Sequence, residues 1–371
     1  MKDETLNRKL KVGVIGAGVI GQVMHLHFLR ELSDRYETVA LCDLSHEVAS
    51  ACAREYGIGA VFTDWRAMLG ADIDAVFILT SGSHAPIAID AARAGKHVFA
   101  EKPMCFSASE GVEMIEAARA AGVVLMVGYP KRYDPAFARF VDEAMTLTER
   151  KLLRVTTTES PFEPYIAHYP LIGPPTDVDQ DLLATLRADS ESRLENAIGT
   201  KDPFLIHQYQ AVLLDTLVHE VNTARALMGE PTSLDYVDLR EGHATVALDF
   251  GGPTAVIHWL ETPAMTRYSM EFSLHAANGR ATLTFPSPYL RNAPTALVVE
   301  RGGEGAESWR REEITSYESG FKQELRVFYD AVVDAQPVPT GGVDANRDIA
   351  LCQAIIRSFV DRAPVANPTE F

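Results

Sequence analysis

Apolar residues follow two rhythms along this chain. Up to about Tyr129, short aliphatic runs alternate with longer stretches whose apolar positions recur at helical spacing. This predicts strands at 11–15, 38–42, 75–79, 97–100 and 123–127, with helices at 20–32, 47–56, 86–94 and 108–121 between them. Strands that are apolar throughout bury both faces, which implies a mostly parallel sheet with helices on each side. Beyond Tyr133 the rhythm changes: 152–160 reads as a strand, 205–228 as helical, and 233–315 as a succession of short strands. Ala244–Phe250 and much of 267–276 alternate polar with apolar, the mark of a sheet packed on one face. Two helices, 322–335 and 344–361, end the pattern. The stretch 172–201, with Gly173-Pro174-Pro175 and a charged run from Arg187, reads as a surface insertion holding one or two short helices.

The first predicted strand runs into Gly16-Ala17-Gly18-Val19-Ile20-Gly21, a G-x-G-x-x-G turn opening a helix, and Asp43 ends the second strand about 20 residues further on. In such a unit Gly16 makes the tight turn, Gly18 lets the backbone approach a pyrophosphate and Gly21 allows close helix–strand packing. Asp43 is placed to accept hydrogen bonds from ribose hydroxyls and to repel a 2′-phosphate, so NAD is expected in preference to NADP. The fold class is therefore α/β: an N-terminal Rossmann dinucleotide-binding domain over 1–130, then over 131–371 an α+β substrate-binding and oligomerisation domain. That second domain is built on a predominantly antiparallel or mixed open sheet, with its terminal helices packing near the domain junction.

A length of 371 residues agrees with two domains. The net charge of −17 opposes binding to nucleic acid or an anionic membrane. Met1–Lys11 has no apolar leader core and no apolar run is long enough to span a bilayer, so a cytoplasmic protein is expected. Cys42, Cys52, Cys105 and Cys352 have neither metal-ligand nor redox-motif spacing, and no metal site is expected.

Two further motifs carry chemistry. Glu101-Lys102-Pro103 follows a predicted strand directly, which brings Lys102 near a bound nucleotide, where its charge can stabilise a developing oxyanion. Pro103 is a candidate for a cis peptide, although trans is the commoner form. Asp215 and His219 stand four apart in a helical stretch and so share a face; a histidine there can take an alcohol proton near neutral pH. Glu220 and Asn222 are polar neighbours able to orient them.

The ordered set G-x-G-x-x-G, Glu101-Lys102-Pro103 and Asp215-x-x-x-His219, with the approach Thr80–His84 and Ala94–Val98, resembles the Gfo/Idh/MocA family over nearly the whole chain. The resemblance implies a sugar or polyol dehydrogenase in which Lys102 contacts cofactor and substrate, His219 is the general base and Asp215 positions the substrate or assists that base. It implies cofactor contacts at Gly16, Gly18, Val19, Ile20, Gly21, Asp43, Thr80, His84, Glu101 and Lys102. Substrate contacts are expected at Lys102, Tyr129, Lys131, Arg132, Asp215, His219 and Asn222. Leu217, Asn222 and Lys131 depart from the small residue, Asp and Asn that are frequent there. The implied reaction is NAD-dependent hydride transfer to or from a secondary alcohol or ketone, by a homodimer or homotetramer. Retained-NAD glycosidase-like or lyase-like chemistry, and a non-catalytic nucleotide sensor, are the alternatives.

Overall fold

The computed structural model describes residues 8–303, 305 and 307–361. Most of the segment Met1–Lys11, read above for a leader, lies outside these residues. Six strands, β1 (Leu10–Ile15), β2 (Tyr36–Cys42), β3 (Ala60–Phe62), β4 (Ala75–Ile78), β5 (His97–Glu101) and β6 (Leu125–Gly128), form a parallel sheet. Its order is β3-β2-β1-β4-β5-β6, the doubly wound order of a Rossmann fold. The crossovers are a π-wound turn at Gly21–His25 leading into α1 (Leu26–Glu31), then α2 (His46–Tyr56), α3 (Trp65–Leu69), α4 (Ala85–Arg93) and α5 (Ala108–Ala121). Local signals set their ends: the Ser107 hydroxyl accepts from Glu110 N–H to cap α5, and Gly122 stops it at φ +66°. The apolar rhythm did not reveal β3 and α3, which are short pieces at the sheet edge.

A 3₁₀ turn (Pro130–Tyr133) and α6 (Pro135–Met145) lead to β7 (Arg150–Glu159) and the short α7 (Glu163–Ile166). The insertion corrects its expectation: in place of short helices it holds one helix of 19 residues, α8 (Gln180–Ile198), whose Leu194 is buried. The helical stretch expected over 205–228 is present, with its winding changed part-way. It is α9 (Pro203–His207), a ten-residue π-helix (Gln208–Leu217) and α10 (Val218–Met228), continuous in direction but changed in hydrogen-bond register. Strands β8 (Ser233–Arg240), β9 (His243–Asp249), β10 (Thr254–Glu261), β11 (Ser269–Ala276), β12 (Gly279–Phe285), β13 (Ala296–Gly302) and β14 (Ser308–Ile314) join β7 in a second sheet. The order is β14-β13-β12-β11-β7-β10-β9-β8, antiparallel except for β7 beside β10, hence mixed. Among the described residues no helix is long and apolar enough to cross a membrane.

The last two helices, α11 (Gly320–Asp334) and α12 (Gly342–Val360), reach further than the junction where they were expected. Phe328 of α11 packs edge-on against Phe77 and Phe99, at 5.4 and 5.7 Å, and those two rings stack at 5.0 Å in the centre of the first sheet. The C-terminal part of the chain therefore finishes the core of the N-terminal sheet. Gly320 sets how closely α11 approaches: a Cβ there would stand 2.1 Å from the Pro130 carbonyl oxygen. Gly320→Ala is expected to push α11 off the 3₁₀ turn and cost about 1–3 kcal/mol, the usual range for overpacking. Denaturant unfolding checks this, and unchanged stability would refute the close-approach argument.

Candidate functional site

The carboxyl ends of β1, β2, β4 and β5 enclose a cavity of about 430 Å³ lined by Gly16, Gly18, Val19, Ile20, Asp43, Thr80, Glu101, Lys102 and Asp215, among others. Each glycine does a separate job. Gly16 has φ +99°, and a Cβ on it would meet the Leu79 and Thr80 backbone at 2.8 Å. On Gly21 a Cβ would stand 2.9 Å from the Gly16 carbonyl, so this glycine packs beneath the cavity rather than lining it. A Cβ on Gly18 would meet nothing within 4 Å, so that side of the turn is open to the approach that a pyrophosphate needs. Asp43 accepts from Ala17 N–H at 2.8 Å and from Ser45 N–H at 3.0 Å. Its remaining lone pairs suit the hydroxyls of a ribose. These features fit a dinucleotide.

A second cavity of about 550 Å³ opens between the two sheets and shares Ile20, Glu101, Lys102 and Asp215 with the first. At that shared wall Lys102 Nζ donates to Asp215 Oδ1 and to the Asp215 carbonyl oxygen, both at 2.6 Å. Burial works against the ammonium, but the Asp215 carboxylate and then Glu101 outweigh it, so its pKa is raised and Lys102 stays charged. The peptide before Pro103 is cis. His219 lines the second cavity, its ring edge-on to Tyr129 at 5.9 Å and its Nδ1 sealed without a hydrogen-bond partner. Burial, then the Lys131 and Lys102 charges, hold its pKa well below the ordinary histidine value. Lys131 is buried, lines the same cavity and has no ion-pair partner among the described residues; burial lowers its pKa to about 8. Glu159, Ser160, Trp259, Glu261, Tyr268 and Tyr289 are also part of the lining. Sequence reasoning missed these because they sit on β7, β10 and the loops beyond, where an aromatic or alternating pattern reads as sheet core.

Residues 10–129 match a family model described as the oxidoreductase family with an NAD-binding Rossmann fold. Over these residues the chain belongs to the Gfo/Idh/MocA oxidoreductase family. It is 24% identical to the Bacillus subtilis oxidoreductase YrbE, with 97% of each chain covered. It is 23% identical to myo-inositol 2-dehydrogenase of Thermotoga maritima, covering 96% of this chain and 98% of that one. Among solved structures it resembles KijD10, a 3-ketoreductase from Actinomadura kijaniata in complex with TDP-benzene and NADP. There the TM-score is 0.71 at 20% identity, over 94% of this chain and 96% of that chain.

Besides Gly21, four residues expected at the site line neither cavity. His84 is fully buried, its ring nitrogens directed at the Thr80 and Pro103 carbonyls, so it ties two loops together behind the cleft. Tyr129 is buried behind His219. Asn222 is sealed: its Oδ1 accepts from Arg132 while its Nδ2 donates to Asp344 and Asp348 of α12. Arg132 also pairs with Asp344, and Arg225 with Asp344, Asp348 and Glu230, which makes this a helix-to-helix network rather than a substrate contact. Asp215 makes no hydrogen bond to His219; its carboxylate holds Lys102.

Behind the cleft Glu101 accepts from Lys102 N–H at 3.0 Å and shares a 2.6 Å hydrogen bond with His25 Nε2. His25, Glu101 and Glu324 bring possible ligand atoms within 4.8 Å of one another. Burial and the Glu101 charge push Glu324 far up, so it is a neutral acid, and a trio with one anion is a weak cation site. Asn222→Ala would leave Arg132 and Asp348 short of partners and is expected to cost about 1–3 kcal/mol of stability. NAD affinity should not change. Denaturant unfolding beside a cofactor titration reads both, and a loss of affinity without a loss of stability would return Asn222 to the site.

Proposed function

We propose that this protein is an NAD-dependent dehydrogenase acting on a secondary alcohol of a sugar, inositol or related polyol, with residues 1–130 holding the cofactor and 131–371 the substrate. The observation that carries the reading is the wall shared by the two cavities, where Lys102 faces both. Nicotinamide, when bound, supplies the two-electron acceptor or donor. Lys102, kept charged and aimed by Asp215, donates to the reacting oxygen and stabilises its developing negative charge. His219, neutral because of its surroundings, takes the hydroxyl proton during oxidation and returns it during reduction. Ser160 Oγ and Trp259 Nε1 have no hydrogen-bond partner among the described residues, and both residues line the cavity, as suits a ligand rich in hydroxyls. Inositol oxidation is the activity named for the Thermotoga relative. Asp43, with no cation paired to it among the described residues, favours NAD over NADP, in contrast to the NADP held by KijD10. The half-exposed face of the second sheet, which carries pairs such as Arg154–Glu271, is our candidate surface for a homodimer or homotetramer.

A panel of inositols, sugars and sugar acids, each offered with NAD and with NADP while reduced-cofactor absorbance is followed, tests the reading. Turnover with none of them, despite measured NAD binding, would sink it. On a substrate so found, Lys102→Ala and His219→Ala are each expected to lower kcat by about 10²–10⁴-fold with NAD still bound. The acid limb of kcat/KM should lie below the ordinary histidine value of 6.5, since burial and two lysines depress His219. Lys131→Met removes one of those cations, so the limb should move to higher pH; a limb that stays in place would separate it from His219.

A further inference from the structure

The insertion begins with a strap that crosses to the nucleotide side of the molecule. Ile172 and Gln22 exchange two hydrogen bonds, Ile172 N–H to Gln22 Oε1 at 2.8 Å and Gln22 Nε2 to the Ile172 carbonyl at 2.9 Å. Gln22 follows the last glycine of the nucleotide turn and also donates to the Ala17 carbonyl within it. Five residues on, Asp177 reaches the first turn of α2. One of its oxygens accepts from Ser45 Oγ at 2.5 Å and the other from Glu47 N–H at 2.9 Å. Thr176 beside it donates to the Glu47 carboxylate at 2.8 Å.

The place of this contact matters because Ser45 also donates its N–H to Asp43 Oδ1, at 3.0 Å. Asp43 is where the adenosine ribose is held in the reading proposed above, and a 2′-phosphate on that ribose needs donors just beyond it. The start of α2 offers them: a hydroxyl and a helix-terminal N–H, positioned for an anion. In this chain the anion is already present as a carboxylate, supplied by a segment distant in sequence. No lysine or arginine among the described residues pairs with Asp43 or Asp177 to offset a second negative group. A 2′-phosphate would have to displace Asp177 and then sit beside two carboxylates.

We infer that Asp177 is a cofactor-specificity residue: its carboxylate fills the 2′-phosphate subsite at the start of α2 and so excludes NADP from a site that Asp43 alone would leave partly open. This rests on the reading of the first cavity as an NAD site. Direct binding distinguishes the two. Dissociation constants for NAD and NADP are measured by calorimetry on the full-length wild type, Asp177→Ala and Asp177→Asn, without any substrate. Asp177→Ala empties the subsite and is expected to tighten NADP by about tenfold or more. NAD affinity should be nearly unchanged. Asp177→Asn keeps one acceptor oxygen, for Glu47 N–H, and offers its amide N–H to the Ser45 hydroxyl in place of the second, while removing the charge, so its gain should be smaller and in the same direction. It also keeps the test readable if the alanine variant loosens the strap. An unchanged NAD/NADP ratio in both variants overturns the assignment of Asp177, as does an equal loss for both cofactors, which would make Asp177 an anchor of the strap only. Wild-type preference for NADP would instead overturn the NAD reading itself.

Discussion

The ion pair between Lys102 and Asp215 is the contact around which the cleft is organised. Lys102 leaves the end of β5 in the first sheet, and Asp215 hangs from the π-helix that precedes α10. A lysine at a strand end has many rotamers, and fixing one is costly unless several groups hold it. Here a carboxylate and a carbonyl hold the ammonium, while Glu101 accepts the lysine's own backbone N–H from behind. Three polar contacts thus define one charge at the wall between two cavities. Since Asp215 is committed to Lys102, the orientation of His219 has to come from packing, and its contact with Tyr129 supplies that.

The same pair explains the electrostatic contrast across a short distance. Cations are retained at Lys102, yet His219 is kept neutral by burial and by those same cations. A permanent positive charge beside a neutral base is the combination that alcohol oxidation requires: one group stabilises oxygen anion character while the other accepts a proton. Lys131, with its pKa lowered to about 8, sits between these extremes, with Glu220 and Glu159 nearby to favour its charged form.

The chain announced its nucleotide half plainly. Strands buried on both faces give continuous apolar runs, and the glycine turn has steric demands that only glycine meets, so β1, β2, β4, β5 and β6 were all legible. The substrate half was legible only as a class of sheet. Trp259 and Tyr268 line the cavity from apolar surroundings that look like core, and no local pattern separates the two. Asn222 shows the opposite error. It lies three residues beyond His219, but the Asp344 that claims it stands 122 residues later, on α12. Likewise the change from α to π winding at 208–217 alters hydrogen-bond register without altering the apolar pattern, so a sequence period cannot show it.

The return of α11 to the first sheet accounts for one further feature, the burial of two carboxylates within reach of each other. Glu324 comes in on α11 and would repel Glu101 if both were ionised in so dry a place. Burial opposes the charge on Glu101 as well, but the His25 hydrogen bond and the nearby Lys102 outweigh it, whereas Glu324 has no hydrogen-bond partner among the described residues and is driven toward the neutral form. The asymmetry leaves one negative charge directly behind Lys102, in addition to Asp215 in front. A second buried anion would cost more in desolvation than the lysine could return, and a missing one would leave His25 and the Lys102 N–H without their common acceptor. The helix that completes the nucleotide-binding core is in this way also a neutral backing for the charge at the cleft.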